Sequence, residues 1–231
     1  MAFRDRGFST PIYEENSIEE KKFIIIACEG AETEYQYFTL IKNELNLKAT
    51  VKMEIFERDE ANRNSSAPTQ VVKTLQSISK EKLHEIKIKN LSEDAFDIYW
   101  AVVDRETQES KKVNLLKAKE ICENEGYNLA LTNPSFEFWL MLHIVDISTY
   151  NKEELLANKK ITSKKCYLEK ELSNILGSYS KVNIKKEDFI TLEKLKHACM
   201  QEKFFENEVD SIINNLGSNL GTLIEDIVEL N

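Results

Sequence analysis

Two acidic clusters stand at the tips of the most apolar runs in the chain. Cys28-Glu29-Gly30 closes the run Phe23–Cys28, and Val103-Asp104-Arg105-Glu106 closes DIYWAVVD, residues 97–104. If the two runs are neighbouring strands, Glu29, Asp104 and Glu106 meet in one crevice. Three carboxylates in a small space repel one another unless a proton or a cation lies among them. Magnesium suits such a donor set, because this hard ion prefers oxygen, keeps several waters and binds phosphate oxygens. Residues two apart in an extended segment point the same way, so Asp104 and Glu106 are expected to serve one ion or two adjacent ones. Gly30 lets the backbone turn sharply and lets a phosphate come close. Taken singly, each carboxylate has a plainer reading as a helix cap or a turn residue. The pairing on the two strongest strands is what points to chemistry.

Two further acids are open to either role. Glu34 falls in the first turn of the helix expected after the first strand, where the helix dipole already favours a negative charge. Glu137 sits in Asn133-Pro134-Ser135-Phe136-Glu137-Phe138-Trp139, a block that starts a helix with proline in a starting position. On that largely apolar helix Glu137 either faces the same crevice or pairs with Arg105. Phe136, Trp139, Leu140 and His143 recur at helical spacing and read mostly as core, with His143 more a satisfied structural histidine than a base. His84 and His197 have no companions.

The elements that must position these groups follow from hydrophobic periodicity. FIIIAC reads as a strand buried on both faces, being short, β-branched and uninterrupted. A helix is expected from Ala31 to about Leu47, a strand nearer a sheet edge at Val51–Phe56, and a polar loop at Arg58–Pro68. Helices follow at Thr69 to about Lys82 and at Lys111–Asn124, with strands at Asp97–Asp104 and Tyr127–Leu131. Strands alternating with helices imply an α/β fold with a mainly parallel sheet and helices on both faces. Ligands of open sheets of that kind sit beyond the carboxyl ends of the strands, which is where Glu29 and Asp104 fall. From about Asp146 the strand signals stop and the chain reads as helical. Residues 1–20 are therefore taken as a charged lead-in, 21–146 as the α/β domain and 147–231 as a mainly helical region packed on it.

Composition bounds the function. Among 231 residues, 40 acids against 31 bases leave a formal net charge of −9, which argues against a protein that coats nucleic acid non-specifically. Within that acidic chain residues 151–203 hold 12 lysines and 8 acids. Lys159-Lys160, Lys164-Lys165 and Lys185-Lys186 are candidate backbone contacts to nucleic acid, with a solvated helix face as the equal alternative. The four cysteines lie far apart without C-x-x-C spacing and read as free thiols of a reducing compartment. The N-terminus is polar, and the apolar runs are too short to span a bilayer, so a cytoplasmic protein is expected. No G-x-G-x-x-G or P-loop follows the first strand, which sets aside nucleotide binding in those styles.

Three blocks in order carry a resemblance: C-E-G-x-x-T-E-x-x-Y-F at 28–38, D-R-E at 104–106 and N-P-S-F-E-F-W-L-M-L-H at 133–143. Together they closely resemble the RloB-like family, over about residues 22–145, with a fainter echo in LGSNLGTLIEDIVEL at 216–230. The resemblance implies a TOPRIM-like fold, the magnesium-binding α/β fold of topoisomerases, primases and OLD-type nucleases. It also implies a place in restriction-linked or abortive-infection loci beside an ATPase of the ABC/AAA kind, and so a role in defence against phage. Carried over by position, Glu29 acts as general acid or base while Asp104 and Glu106 bind the metal. Glu106 stands where the TOPRIM pattern has a second aspartate.

The favoured expectation is a Mg2+-dependent nuclease, with Mn2+ as an alternative ion, acting on DNA or on tRNA or other RNA. Gly30, Glu34, Arg105, Asn133 and Glu137 are its candidate supporting residues, and a homodimer is allowed. The alternative is a non-catalytic binding subunit of an ATPase-containing defence complex.

Overall fold

The computed structural model describes residues 21–30, 32–56, 67–78, 80–106, 108–163 and 165–230. The lead-in at 1–20, most of the loop expected at 58–68, and Lys164 lie outside the described residues.

Four parallel strands form the frame: β1 (Lys22–Cys28), β2 (Val51–Phe56), β3 (Phe96–Asp104) and β4 (Asn128–Asn133). A two-residue antiparallel strand, β5 (Gly217–Ser218), pairs with Thr132 and Asn133, giving the order β2-β1-β3-β4-β5. The chain passes from β1 outward to β2, then crosses to β3 on the other side of β1. The order therefore reverses between β1 and β3, and a crevice at such a switch point is the usual ligand site of an open α/β sheet.

β1 is apolar throughout because both faces of the sheet are covered. Ile24, Ile26 and Cys28 enter one core, and Phe23, Ile25 and Ala27 the other, as a period of two requires. Each fully buried Phe or Ile contributes roughly 1.5–3 kcal/mol relative to exposure, so this strand is held firmly and its tip is a fixed point. On the first face lie α1 (Thr33–Glu44), α5 (Phe136–Leu142), α7 (Tyr167–Ile175), α9 (Leu192–Glu202) and α11 (Leu220–Ile227). On the second lie α2 (Pro68–Gln76), α3 (Lys80–Lys89), α4 (Glu109–Glu125) and α10 (Val209–Ile212). The short helices α6 (Lys152–Ala157) and α8 (Lys186–Phe189) complete the described set. Helices from beyond residue 146 thus pack in the same core as α1 and α5.

Several boundaries differ from the sequence expectation. The helix expected over 69–82 is two helices, because the Ser77 hydroxyl bonds back to the Thr74 carbonyl (2.8 Å) and competes with the helical ladder. α1 ends at Glu44, where Leu45 turns extended (φ −112°, ψ 151°) and Leu47 bridges to Val228. The C-terminal region is not purely helical, since β5 joins the sheet. Two residues are too few to show a period. Pro134 precedes α5 rather than starting it: the Asn133–Pro134 bond is cis and Ser135 is the cap residue.

Candidate functional site at the carboxyl ends of β1 and β3

The strand ends bring Glu29 and Asp104 side by side. Cys28 pairs with Val102, the Glu29 N–H extends the ladder to the Val102 carbonyl (2.8 Å), and the Asp104 N–H donates to Glu29 Oε2 (3.1 Å). Strand alternation then sends the two carboxylates to opposite sides of the sheet end. Glu29 shares the parity of Phe23 and Ala27 and meets Lys111 on α4, whose ammonium donates to its Oε1 (2.9 Å). Asp104 shares the parity of Val102 and faces the layer of α1 and α5, where its carboxylate accepts the Phe136 N–H.

On that side three acids crowd together. Burial and the charges of Glu34, Glu137 and Glu29 push the Asp104 carboxyl well above the usual range. Burial, Glu137 and Glu29 likewise raise Glu34 to about 7. Glu29 is raised as well, chiefly by burial, with Lys111 opposing. Glu29, Glu34 and Glu137 are each at most 6% exposed, so water does little to relieve the repulsion. Gly30 is needed here: a Cβ at that position would lie 1.7 Å from Glu34 Oε2, so the missing side chain is what lets Glu34 fold back over the β1 end.

Glu137 is the best-satisfied member. Its Oε2 accepts the Ser135 hydroxyl (2.7 Å), and its Oε1 accepts both the Tyr179 hydroxyl (3.2 Å) and the Lys181 ammonium (2.9 Å). Glu137 therefore belongs to the acidic cluster and does not pair with Arg105. Lys181 also reaches Glu169 (3.4 Å). Burial works against its charge, but Glu137, Glu169 and Asp104 hold it protonated beyond the ordinary lysine range.

Glu106 is placed differently from expectation. It is not in extended backbone but left-handed, with φ 45°, a conformation that costs a non-glycine residue about 1 kcal/mol or more. Backbone bonds from Arg105 N–H to the Thr132 carbonyl and from Glu106 N–H to the Pro134 carbonyl impose the bend. The Glu106 carboxylate consequently meets Lys111 (3.1 Å), so one ammonium joins Glu29 to Glu106.

Arg105 and Asn133 act on the backbone. Arg105 is buried and donates from Nε to the Ile213 carbonyl (2.9 Å) and from a terminal nitrogen to the Glu106 carbonyl (2.7 Å). Asn133 donates to the carbonyls of Ile212 (2.7 Å) and Asn215 (2.9 Å). Both fasten the 212–215 turn against the strand ends. The candidate nucleic-acid lysines are scattered in use: Lys165 turns inward to Ser173 (2.6 Å), Lys186 pairs with Glu44, and Lys185, Lys159 and Lys160 are exposed.

Sequence reasoning missed Lys111, Tyr179 and Lys181. Lys111 carried a signal, since it lies in the first turn of α4, where the helix dipole disfavours a cation. Tyr179 and Lys181 sit in an irregular turn without a periodic cue.

The donor set fits a hard divalent cation in kind: it is all oxygen, largely buried and short of positive charge. It is not arranged as a finished metal centre, because among the described residues no three His, Cys, Asp or Glu groups come together as ligands. Ammonium groups of Lys111 and Lys181 stand among the carboxylates instead. No helix among the described residues is long and apolar enough to cross a membrane.

No curated protein and no solved structure matches the chain. The family model described as RloB-like protein matches residues 24–228, a span that takes in both strand ends, the Glu137 helix and the turn carrying Lys181. The chain belongs to the RloB-like family.

Proposed function

We propose that this protein is a Mg2+-dependent, TOPRIM-like nuclease and the effector of a phage-defence system controlled by a partner ATPase. One observation carries the reading: Glu29, Glu34, Asp104 and Glu137 gather at the switch point of an α/β sheet, and burial and mutual repulsion raise the proton affinities of Glu29, Glu34 and Asp104. Such an excess of buried negative charge is a cost to folding, and it is the arrangement a cation-binding phosphoryl-transfer site requires.

Asp104, with Glu34 on the same side of the sheet end, would hold the ion. When bound, Mg2+ supplies charge stabilisation to a scissile phosphate and a more acidic water. Glu29 is fixed by the Asp104 N–H and by Lys111, so its carboxyl is oriented without rotamer search. With its proton affinity raised, chiefly by burial, it is suited to accept a proton from water and return it. Lys111 joins Glu29 to Glu106 and offsets part of their negative charge at one spot. Left-handed Glu106 lies at the rim, on the α4 side. Arg105 and Asn133 hold the surrounding backbone. The family resemblance, rather than the site, supplies the ATPase partner and the defence role.

The test is purified protein with labelled tRNA and with plasmid DNA, in Mg2+ or in EDTA. Metal-dependent cleavage abolished by E29Q and by D104N is the expected result. A second reading, a non-catalytic subunit that binds the ATPase, draws on the two lysines that already neutralise part of the cluster. Full phage protection by both variants would establish it in place of the nuclease.

A further inference from the structure

The ammonium at Glu137 arrives on a separate piece of chain. After α7 the backbone passes through left-handed Gly177 (φ 73°) into a turn ending near Ile184. This turn lies across the start of α1, where the Lys181 carbonyl accepts from Thr33 Oγ1 (3.2 Å) and Gln36 Nε2 (3.5 Å) and the Ile184 N–H donates to Gln36 Oε1 (3.1 Å). Tyr179 and Lys181 both reach inward from it to Glu137 Oε1. The two lysines of the site differ in access: the Lys111 side chain is 13% exposed, whereas that of Lys181 is 48% exposed.

A carboxylate oxygen has about two lone-pair positions. Those of Glu137 Oε1 are taken by Tyr179 and Lys181, and Oε2 is engaged by Ser135. An ion cannot bond to Oε1 while both donors remain. Lys181 also shares the Asp104 charge with any ion that would sit there, and two cations in one small cluster repel.

We propose that the Gly177–Ile184 turn is a cation-gated strap: Lys181 and a divalent ion compete for Glu137 and the Asp104 side of the cluster, so that binding the ion expels the ammonium and loosens the turn. The inference rests on the cation reading of the site and names how that site is regulated. Expulsion is feasible for Lys181 because its side chain is about half exposed, and Gly177 leaves the strap a flexible origin.

The experiment measures Mn2+ affinity from the free-ion EPR signal for the wild type, K181Q, K181R and D104N, with circular dichroism to verify folding. Hydrogen exchange of the 177–184 peptide is followed in parallel with and without Mg2+. K181Q is expected to bind Mn2+ more tightly by on the order of tenfold, a usual size for coupling between two ligands. K181R, which keeps the charge, stays near the wild type, and Mg2+ speeds exchange at Ile184. Unchanged or weaker Mn2+ binding by K181Q, or exchange indifferent to Mg2+, overturns the strap even where D104N abolishes binding. Mn2+ binding by D104N equal to the wild type removes the cation reading itself, and the strap with it.

Discussion

Two groups of buried polar side chains draw on α1 and α5, one of them also on the ends of β1 and β3, and their electrostatics are opposite. Tyr37, Trp139 and His143 form a closed neutral set. The Trp139 indole N–H donates to the Tyr37 oxygen (3.0 Å), and the Tyr37 hydroxyl donates to His143 Nε2 (2.9 Å). His143 Nδ1–H completes the set by donating to the Trp139 carbonyl (2.9 Å). Every donor has an acceptor, and burial lowers the His143 pKa to about 3, so no charge is present to be stabilised. Glu29, Glu34, Asp104 and Glu137 are instead alike in sign, and partnered in part by lysines from α4 and the strap. A satisfied neutral network rigidifies a core. A crowd of like charges weakens the fold locally and has a use only toward something positive. Both groups fall within the sequence blocks that carry the family resemblance, so those blocks mix scaffold and site.

The sharpest way to break this contrast is D104N. It is expected to lower cleavage by about 10^3-fold, equivalent to several kcal/mol of transition-state stabilisation. Thermal stability should hold or rise, because one repelling charge is gone. A large fall in melting temperature with activity lost in proportion would make Asp104 a scaffold residue.

The complementary experiment cuts the neutral network. H143A should cost about 3 kcal/mol in urea unfolding through a cavity and an orphaned Tyr37 hydroxyl, and Y37F about 2 kcal/mol. If D104N costs as much as either, the two regions are not different in kind.

Acid and base should act on the two regions in opposite directions. Neutral His143 has a folded pKa of about 3 against 6.5 for the free side chain, so its contribution is complete above about 6.5 and is lost as pH falls toward 3. Glu34 has a folded pKa of about 7 against 4.5, so its contribution is complete below 4.5 and is lost as pH rises through about 7. In EDTA, melts between pH 4 and 8 should therefore show E34Q gaining on the wild type as pH rises, by a few kcal/mol at most. Parallel curves for the two proteins would refute the charged assignment of Glu34.

The smallest effect is expected from G30A. The added methyl displaces the Glu34 carboxyl, which is the flexible end of a side chain and can move aside. Activity should fall about tenfold with little change in melting temperature, a split that marks Glu34 as placed for the site. A further loss of the same size when G30A is added to E34Q would show that the effect runs through the backbone instead.

What the sequence determined is local. The double-faced apolar run of β1, the edge pattern of β2 and the carboxylates at the ends of β1 and β3 were legible because burial and period are properties of contiguous residues. So was the reading of His143 as structural. The tertiary structure decided what each acid meets. Lys111 is 82 residues from Glu29, and the Lys181 carbonyl is 148 from Thr33, so no local pattern encodes those pairs. The same holds for β5, for Arg105 and Asn133 turning to the 212–215 turn, and for the left-handed bend that carries Glu106 to Lys111. An unbroken strand continuing past Asp104 would have pointed Glu106 with it, and only the bonds to Thr132 and Pro134 on the adjacent strand end prevent that. Side-chain type fixes which chemistry is available; which opposite charge closes on it is set by chain segments that meet only when the sheet is assembled.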